Sequence, residues 1–530
     1  MSILQDKPWF KFWPEGVPHH LDYPEIPLFE LLSRTAERWP ENIAFSCQGR
    51  CLIYRELDEL TSKLAAALNE LGIKKGDRVV LFLPNGLEFV IGYYGILKAG
   101  GTVTPVNPLY KGEELKHQLN DSEAIAIITN ETSYPTVKEI KDETKLKAII
   151  LTDSEKIRGE ILLSELLTRY SPSPPKFDLK PKEDIAAIEY TGGTTGLSKG
   201  AMLTHYNLVA NATQNAIWLG WSNNDVIIGL LPFYHSWGAC TCVNSPIYSG
   251  AQVVILPRFD AEELLMTIEK EKATVLYGAA SMFTMLVSNP VITKYDLSSL
   301  KYVKAGAMPI PPEIRERWEQ LTGVKMILGY GLSEASPETH DSPVKRVKSG
   351  TIGIPITDTD ARIVDEETGE TELPPGKVGE LVIKGPQVMK GYLNRPKDNE
   401  EALRNGWLYT GDLALMDADG YFYIVDRKKE TIKYKGYTIA PAEVEATLYE
   451  HPAVKECAVV GKPDALASEI PKAYVVLKEG FTVDKEELIE FCAKRVAPYK
   501  KIREVEFIEE IPKTPVGKVL RRVLRDRERG

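Results

Sequence analysis

At 530 residues, with 43% apolar and 26% charged positions, the chain is too long for one hydrophobic core and reads as a globular protein of several domains. A net charge of −10 argues against nonspecific nucleic-acid binding through a basic face, and six scattered cysteines make neither a disulfide scaffold nor a zinc site. Met1–Pro8 has no apolar leader and Gly530 closes no retention or peroxisomal tail, so the expected address is cytoplasmic.

Residues 1–25 are rich in aromatics and proline (Trp9, Phe10, Phe12, Trp13, Pro14, Pro18), which suggests an irregular arm laid on a domain surface. Cys47 and Cys51 flank a turn, Gln48-Gly-Arg50, where a bridge is geometrically conceivable and reduced thiols are expected. Leu57, Leu60, Leu64, Leu68 and Leu71 recur at three- and four-residue spacing, predicting an amphipathic helix from Tyr54. Apolar runs at 79–83, 103–106, 124–129 and 148–152 read as strands alternating with helical patterns such as Glu113–Leu119. That alternation means a mostly parallel sheet with helices on both faces.

A proline-rich loop over 171–183 leads into the apolar run Ile185–Ile188 and then Tyr190-Thr-Gly-Gly-Thr-Thr-Gly-Leu-Ser-Lys-Gly200. Glycines let backbone amides approach an anion, small hydroxyls add donors, and Lys199 adds positive charge, so a triphosphate is the natural guest. The common nucleotide loop needs Gly before its Lys and Ser or Thr after it. Here Lys199 lies between Ser198 and Gly200, which disfavours a phosphoryl-transferring ATPase, and on composition alone an ordinary polar turn stays open.

Further strands are expected at 226–231, 252–256, 274–277, 302–305 and 325–328. The uncharged stretches 226–257 and 273–293 are broken by Pro232, Pro246, Gly278 and Pro290, and predict an apolar cavity wall, not a membrane span. From about 350 the texture becomes short alternating strands with turns, as in Asp360–Val364 and Gly379–Ile383. The expected fold class is α/β (α+β overall). A large N-terminal domain of stacked α/β sheets spans 1–426, with its β-rich subdomain over about 350–426. A charged hinge follows over 427–437, and a small mobile α+β C-terminal domain with a basic tail occupies 438–530. His205 reads as structural, and His19-His20 and Asp417/Asp419 as surface features.

Five segments together resemble the adenylate-forming superfamily of acyl-CoA synthetases, coumarate ligases and luciferase. They are Tyr190–Gly200, Tyr330-Gly-Leu-Ser-Glu334, Tyr409-Thr-Gly-Asp412, Asp426–Glu445 and Pro512–Arg522, in the family's order. The Thr-Gly-Gly form of the first loop, Pro232-Phe-Tyr-His235 and Ala305-Gly-Ala-Met-Pro309 resemble long-chain fatty acyl-CoA ligases in particular. The resemblance implies an ATP-dependent ligase that makes acyl-AMP and pyrophosphate from a carboxylic acid, then passes the acyl group to CoA. A medium- to long-chain fatty acid is the expected substrate. An aryl acid or another aliphatic acid is the alternative, and a catalytically silent nucleotide or lipid binder a further one.

The resemblance also implies roles. Thr191, Gly192, Gly193, Thr194, Thr195, Gly196 and Lys199 would cradle the β- and γ-phosphates, and Glu334 with Thr195 would hold Mg²⁺, a hard cation suited to oxygen donors. Tyr330 would stack on adenine, with Gly306, Ala307 and Gly329 lining the ring and Ser333 nearby. Asp412 would grip the ribose hydroxyls with Arg427 assisting. Lys518 would be the catalytic cation that neutralises carboxylate and α-phosphate as they meet. Lys429 would mark the hinge, Lys433, Lys435 and Gly436 would serve the thiol step, and His235 would gate the acyl pocket. Departures from the family pattern at Gly192, Ser198, Ser333 and Val516 remove no essential charge. No nucleic acid and no transmembrane segment are expected, while peripheral membrane contact and a homodimer stay open.

Overall fold

The structure, a computed structural model, describes residues 7–153, 157, 159–191, 198–306, 310–428, 430–434, 437–464, 467–496, 498–513 and 519–529, with the side chains of residues 433, 437, 438 and 529 left out. The large N-terminal body is built from two big sheets with helices packed on them. In the nine-stranded sheet, Val226–Gly229 lies between Gln252–Ile255 and Val275–Ala279, and Tyr302–Gly306 and Met326–Gly331 follow, all parallel. In the eight-stranded sheet, Thr102–Pro105, Arg78–Phe82, Ala126–Thr129 and Ala148–Leu151 run parallel, and Ile185–Thr191 extends the row. The predicted strands and the helix Tyr54–Glu70 are therefore present within a residue or two of their expected bounds, except that the strand expected at 325–328 runs on to Gly331. Among the described residues no helix is long and apolar enough to cross a membrane, in keeping with the proline breaks.

Between the sheets, helix Leu87–Lys98 is buried at every position except Glu88. Gly95 makes room for it: a Cβ there would lie 2.6 Å from Leu64 Cδ2 of helix Tyr54–Glu70. The N-terminal arm packs as expected, with Trp9 buried and Trp13 set edge-on to Trp218 at 4.8 Å. The Gln48–Gly49 turn has both residues at positive φ, and Cys47 and Cys51 are free thiols.

Asp360–Val364, Gly379–Lys384, Trp407–Met416 and Phe422–Arg427 form the antiparallel sheet that the change of texture predicted. Secondary structure reaches into both ends of the charged connector 427–437. Arg427 still pairs with Asp412, and Ile432–Tyr434 opens a hairpin of the small C-terminal sheet. Ile432 and Ile439 are fully buried there, so the charges hid a strand with one apolar face. The basic tail is also more than a tail. It forms helix Arg521–Arg529, with Leu524 buried and Arg521 held by Glu430 and, at 2.6 Å, Glu445. Those carboxylates outweigh burial and raise the Arg521 guanidinium further above its usual range.

Candidate active site

The described site residues gather where the parallel strands of the nine-stranded sheet end, the place where open α/β sheets take ligands. Thr191 and Lys199 face one another across the antiparallel pair Ile185–Thr191 and Lys199–Thr204. Gly200 is needed in that pair, because a Cβ would lie 2.7 Å from Ile188 Cγ2 and 3.3 Å from the Tyr190 ring. Lys199 Nζ is held by the carboxylate of Asp398, on helix Pro396–Ala402, and sits 5.3 Å above the Tyr392 ring. The Tyr392 hydroxyl donates to Glu334 Oε1 at 2.7 Å. Burial and the Glu334 charge together raise the Tyr392 hydroxyl well above the usual phenol range.

A second cluster lies around Asp412. One of its oxygens accepts from the Tyr330 hydroxyl, and the other pairs with Arg427 Nε at 2.7 Å. Asp412 raises the Arg427 guanidinium, while burial first and Asp412 second raise the Tyr330 hydroxyl. A planar guanidinium locked on a buried carboxylate is a rigid platform for a diol. Every charged group of both clusters is thus matched inside the protein.

Gly306 and Gly329 are glycines for packing reasons. A Cβ on Gly306 would lie 2.9 Å from Trp237 Cη2, and one on Gly329 would lie 2.5 Å from Lys304 Cε. Lys304 is buried and its Nζ bonds Glu338 at 2.9 Å and Asp341 at 2.8 Å. His235 heads the short helix Ser236–Ala239, and its Nδ1 accepts from Trp237 N at 3.2 Å. Trp237 meets Tyr277 edge-on at 6.0 Å, so the two uncharged stretches do share one aromatic wall. His205 is structural, accepting from Leu28 N at 3.0 Å, and burial lowers it to about 4.

Models of two families match this chain: AMP-binding enzyme over residues 32–393, and AMP-binding enzyme C-terminal domain over residues 443–518. The chain belongs to the AMP-binding enzyme family. It is 41% identical to a long-chain-fatty-acid–CoA ligase of Bacillus subtilis, with 99% of each chain covered. It is 35% identical to 4-coumarate–CoA ligase 1 of Petroselinum crispum, over 96% of this chain and 95% of that one. Among solved structures, ATP-bound MatB from Rhodopseudomonas palustris matches with a TM-score of 0.87 at 29% identity, over 95% of this chain and 99% of that one.

Within this AMP-binding enzyme, the structure brings together Thr191, Lys199, His235, Gly306, Gly329, Tyr330, Ser333, Glu334, Asp412 and Arg427. Gly192, Gly193, Thr194, Thr195, Gly196, Ala307, Lys429, Lys435, Gly436 and Lys518 lie outside the described residues, and Lys433 is described by its backbone alone, in strand Ile432–Tyr434. Sequence reasoning missed Tyr392, Asp398, Glu189, Ser236 and the Lys304 triad. The turn-rich stretch Gly391-Tyr-Leu-Asn-Arg-Pro396 and a lysine inside the apolar strand Tyr302–Gly306 were the available signals.

Proposed function

We propose that the protein is an AMP-forming ligase that activates a medium- to long-chain fatty acid and passes it to coenzyme A. A carboxylate oxygen bonds to the α-phosphorus of ATP while the bond to pyrophosphate breaks. The CoA sulfur then bonds to the acyl carbonyl carbon, AMP leaves, and the thiol proton passes to solvent. The observation that carries this reading is the meeting, at one sheet end, of the Lys199–Asp398 and Glu334–Tyr392 pairs with the Asp412–Arg427 platform. The 41% identity to a long-chain-fatty-acid–CoA ligase favours a fatty acid over an aryl acid.

Lys199 and the loop 191–196 receive the terminal phosphates, and Asp412 with Arg427 takes the ribose hydroxyls. Tyr330 receives the adenine with Gly306, Ala307 and Gly329, and Ser333 contributes its hydroxyl nearby. Glu334, an oxygen donor with the Tyr392 oxygen against it, fits Mg²⁺, as would Thr195. The bound metal supplies positive charge that offsets the triphosphate. His235 and the Trp237–Tyr277 wall admit the acyl chain. Lys518 brings its ammonium to the reacting anions from a C-terminal domain at 438–530, turning about Lys429 in the segment 427–437. The other face, with Lys433, Lys435 and Gly436, then serves the thiol step. The protein is placed in the cytoplasm, and peripheral membrane contact and a homodimer are both compatible with this reading. Acid-dependent exchange of pyrophosphate into ATP tests the reading: no exchange with any acid from acetate to palmitate or cinnamate would remove it. Lys518→Ala should lose about 10²–10³ in exchange while sparing thioester formation from supplied acyl-AMP.

A further inference from the structure

Two buried polar residues, Glu189 and Ser236, serve none of these roles. Glu189, in strand Ile185–Thr191, is 3% exposed, and its Oε2 has no hydrogen-bonding partner among the described residues. Burial pushes its carboxyl up to about 8, and facing Ser236 moderates that rise. Ser236 is buried in turn, with its Oγ 2.9 Å from Ser333 Oγ. Ser236 directly follows His235, and Ser333 directly precedes Glu334. Three segments assigned to three reactants therefore converge on one hydroxyl: the triphosphate loop through Glu189, the acid gate through Ser236, and the metal carboxylate through Ser333.

We propose that Ser236, backed by Glu189, is a positioning residue that couples acid binding to nucleotide binding. The helix Ser236–Ala239 opens a continuous helical run that ends at Ser249, whereas the 3₁₀ turn Ser333–Ala335 is too short to hold its own geometry. The bond between them is costly to break, because the buried Ser236 hydroxyl would lose its partner without gaining water. A shift of the His235 helix as the acyl chain enters thus carries Ser333 and the adjoining Glu334 with it. Glu189, buried in the loop-bearing strand and interacting with Ser236, refers the motion to that strand.

The inference rests on the ligase reading, and the test separates the two. Decanoate affinity is measured by calorimetry with and without magnesium and α,β-methylene-ATP, giving the factor by which each ligand alters the other's binding. In the native protein that factor differs from one; Ser236→Ala should bring it closer to one by about fivefold, with each separate affinity changed by less than about threefold. Ser236→Thr and Glu189→Gln, which keep hydrogen-bonding groups in place, should restore the native factor, and Glu189→Leu should not. A merely structural hydroxyl would weaken both ligands together and leave the factor untouched. That result overturns the proposal, as does an unchanged factor in Ser236→Ala. If Ser236→Ala fails to fold, Glu189→Leu against Glu189→Gln reads the same factor. Absent pyrophosphate exchange in the native protein removes the ligase reading; normal exchange with an unaltered factor removes this inference alone.

Discussion

Lys199 and Lys304 both sit on strands that lead to the site, and both are held by carboxylates, yet water reaches only one pair. Lys199 and Asp398 keep 23% and 29% of their side-chain surface, whereas Lys304, Glu338 and Asp341 keep 1%, 4% and 2%. A half-wet pair is worth little net free energy and is easily traded for a phosphate. A dry triad cannot release its ammonium, because two buried carboxylates would be stranded. Burial pulls the Lys304 ammonium down, but Asp341 and Glu338 outweigh it and hold it above its ordinary value. The same residue type therefore forms a partly exposed, weakly held pair at one strand and a dry tie between strands at the other.

The comparison breaks most visibly at Lys304. Lys304→Met should destabilise the protein by about 3–5 kcal/mol, read as a lower urea midpoint, since it leaves Glu338 and Asp341 unpaired in the interior. Retention of the native midpoint would mean that the triad is not dry in solution. Lys199→Ala should do the opposite: the melting temperature stays within a degree or so, while acid-dependent exchange falls about 10²–10³-fold, as for loss of one transition-state donor. A large fall in melting temperature would place Lys199 with the structural lysine instead.

A third test uses pH. Burial, with a smaller contribution from Glu338, pushes Asp341 up from 3.8 to about 7, opposed by Lys304. A carboxyl raised in the folded state is stabilising while protonated, so its contribution is full below the unfolded value near 3.8 and is lost as pH rises toward 7. Melting temperatures followed from pH 4 to 8 should decline in the native protein and decline less in Asp341→Asn; parallel profiles would refute the assignment. The smallest effect is expected at Asp398. Asp398→Ala frees Lys199 from a partly exposed pair worth about 0.2–1 kcal/mol, so KM for ATP should fall by at most about fivefold, and a rise in KM would give Asp398 a direct role in holding nucleotide.

The Tyr190–Gly200 loop, Tyr330–Glu334 and Tyr409–Asp412 were legible because each is a short run whose residue types do local work. The alternation of strand and helix was legible for the same reason: periodicity is a property of neighbours in sequence. The connector 427–437 was harder to read, because its strand shows only one apolar face among charges. Helix Arg521–Arg529 was harder still, since Leu524 alone marks its buried side. Tyr392 and Asp398 carried no motif of their own, and nothing local ties Asp398 to a lysine 199 positions away.

The chain by itself determined the order of its elements and the spacing of the glycine, acidic and basic residues on which the proposed reaction rests. Those depend on φ/ψ freedom, spacing and charge, which are written residue by residue. Only the tertiary structure decided which carboxylate meets which lysine, which of those pairs stays wet, and that Ser236 and Ser333 share one hydrogen bond. Partnership and desolvation arise from packing between distant segments, so they exist only once the sheets have closed on one another.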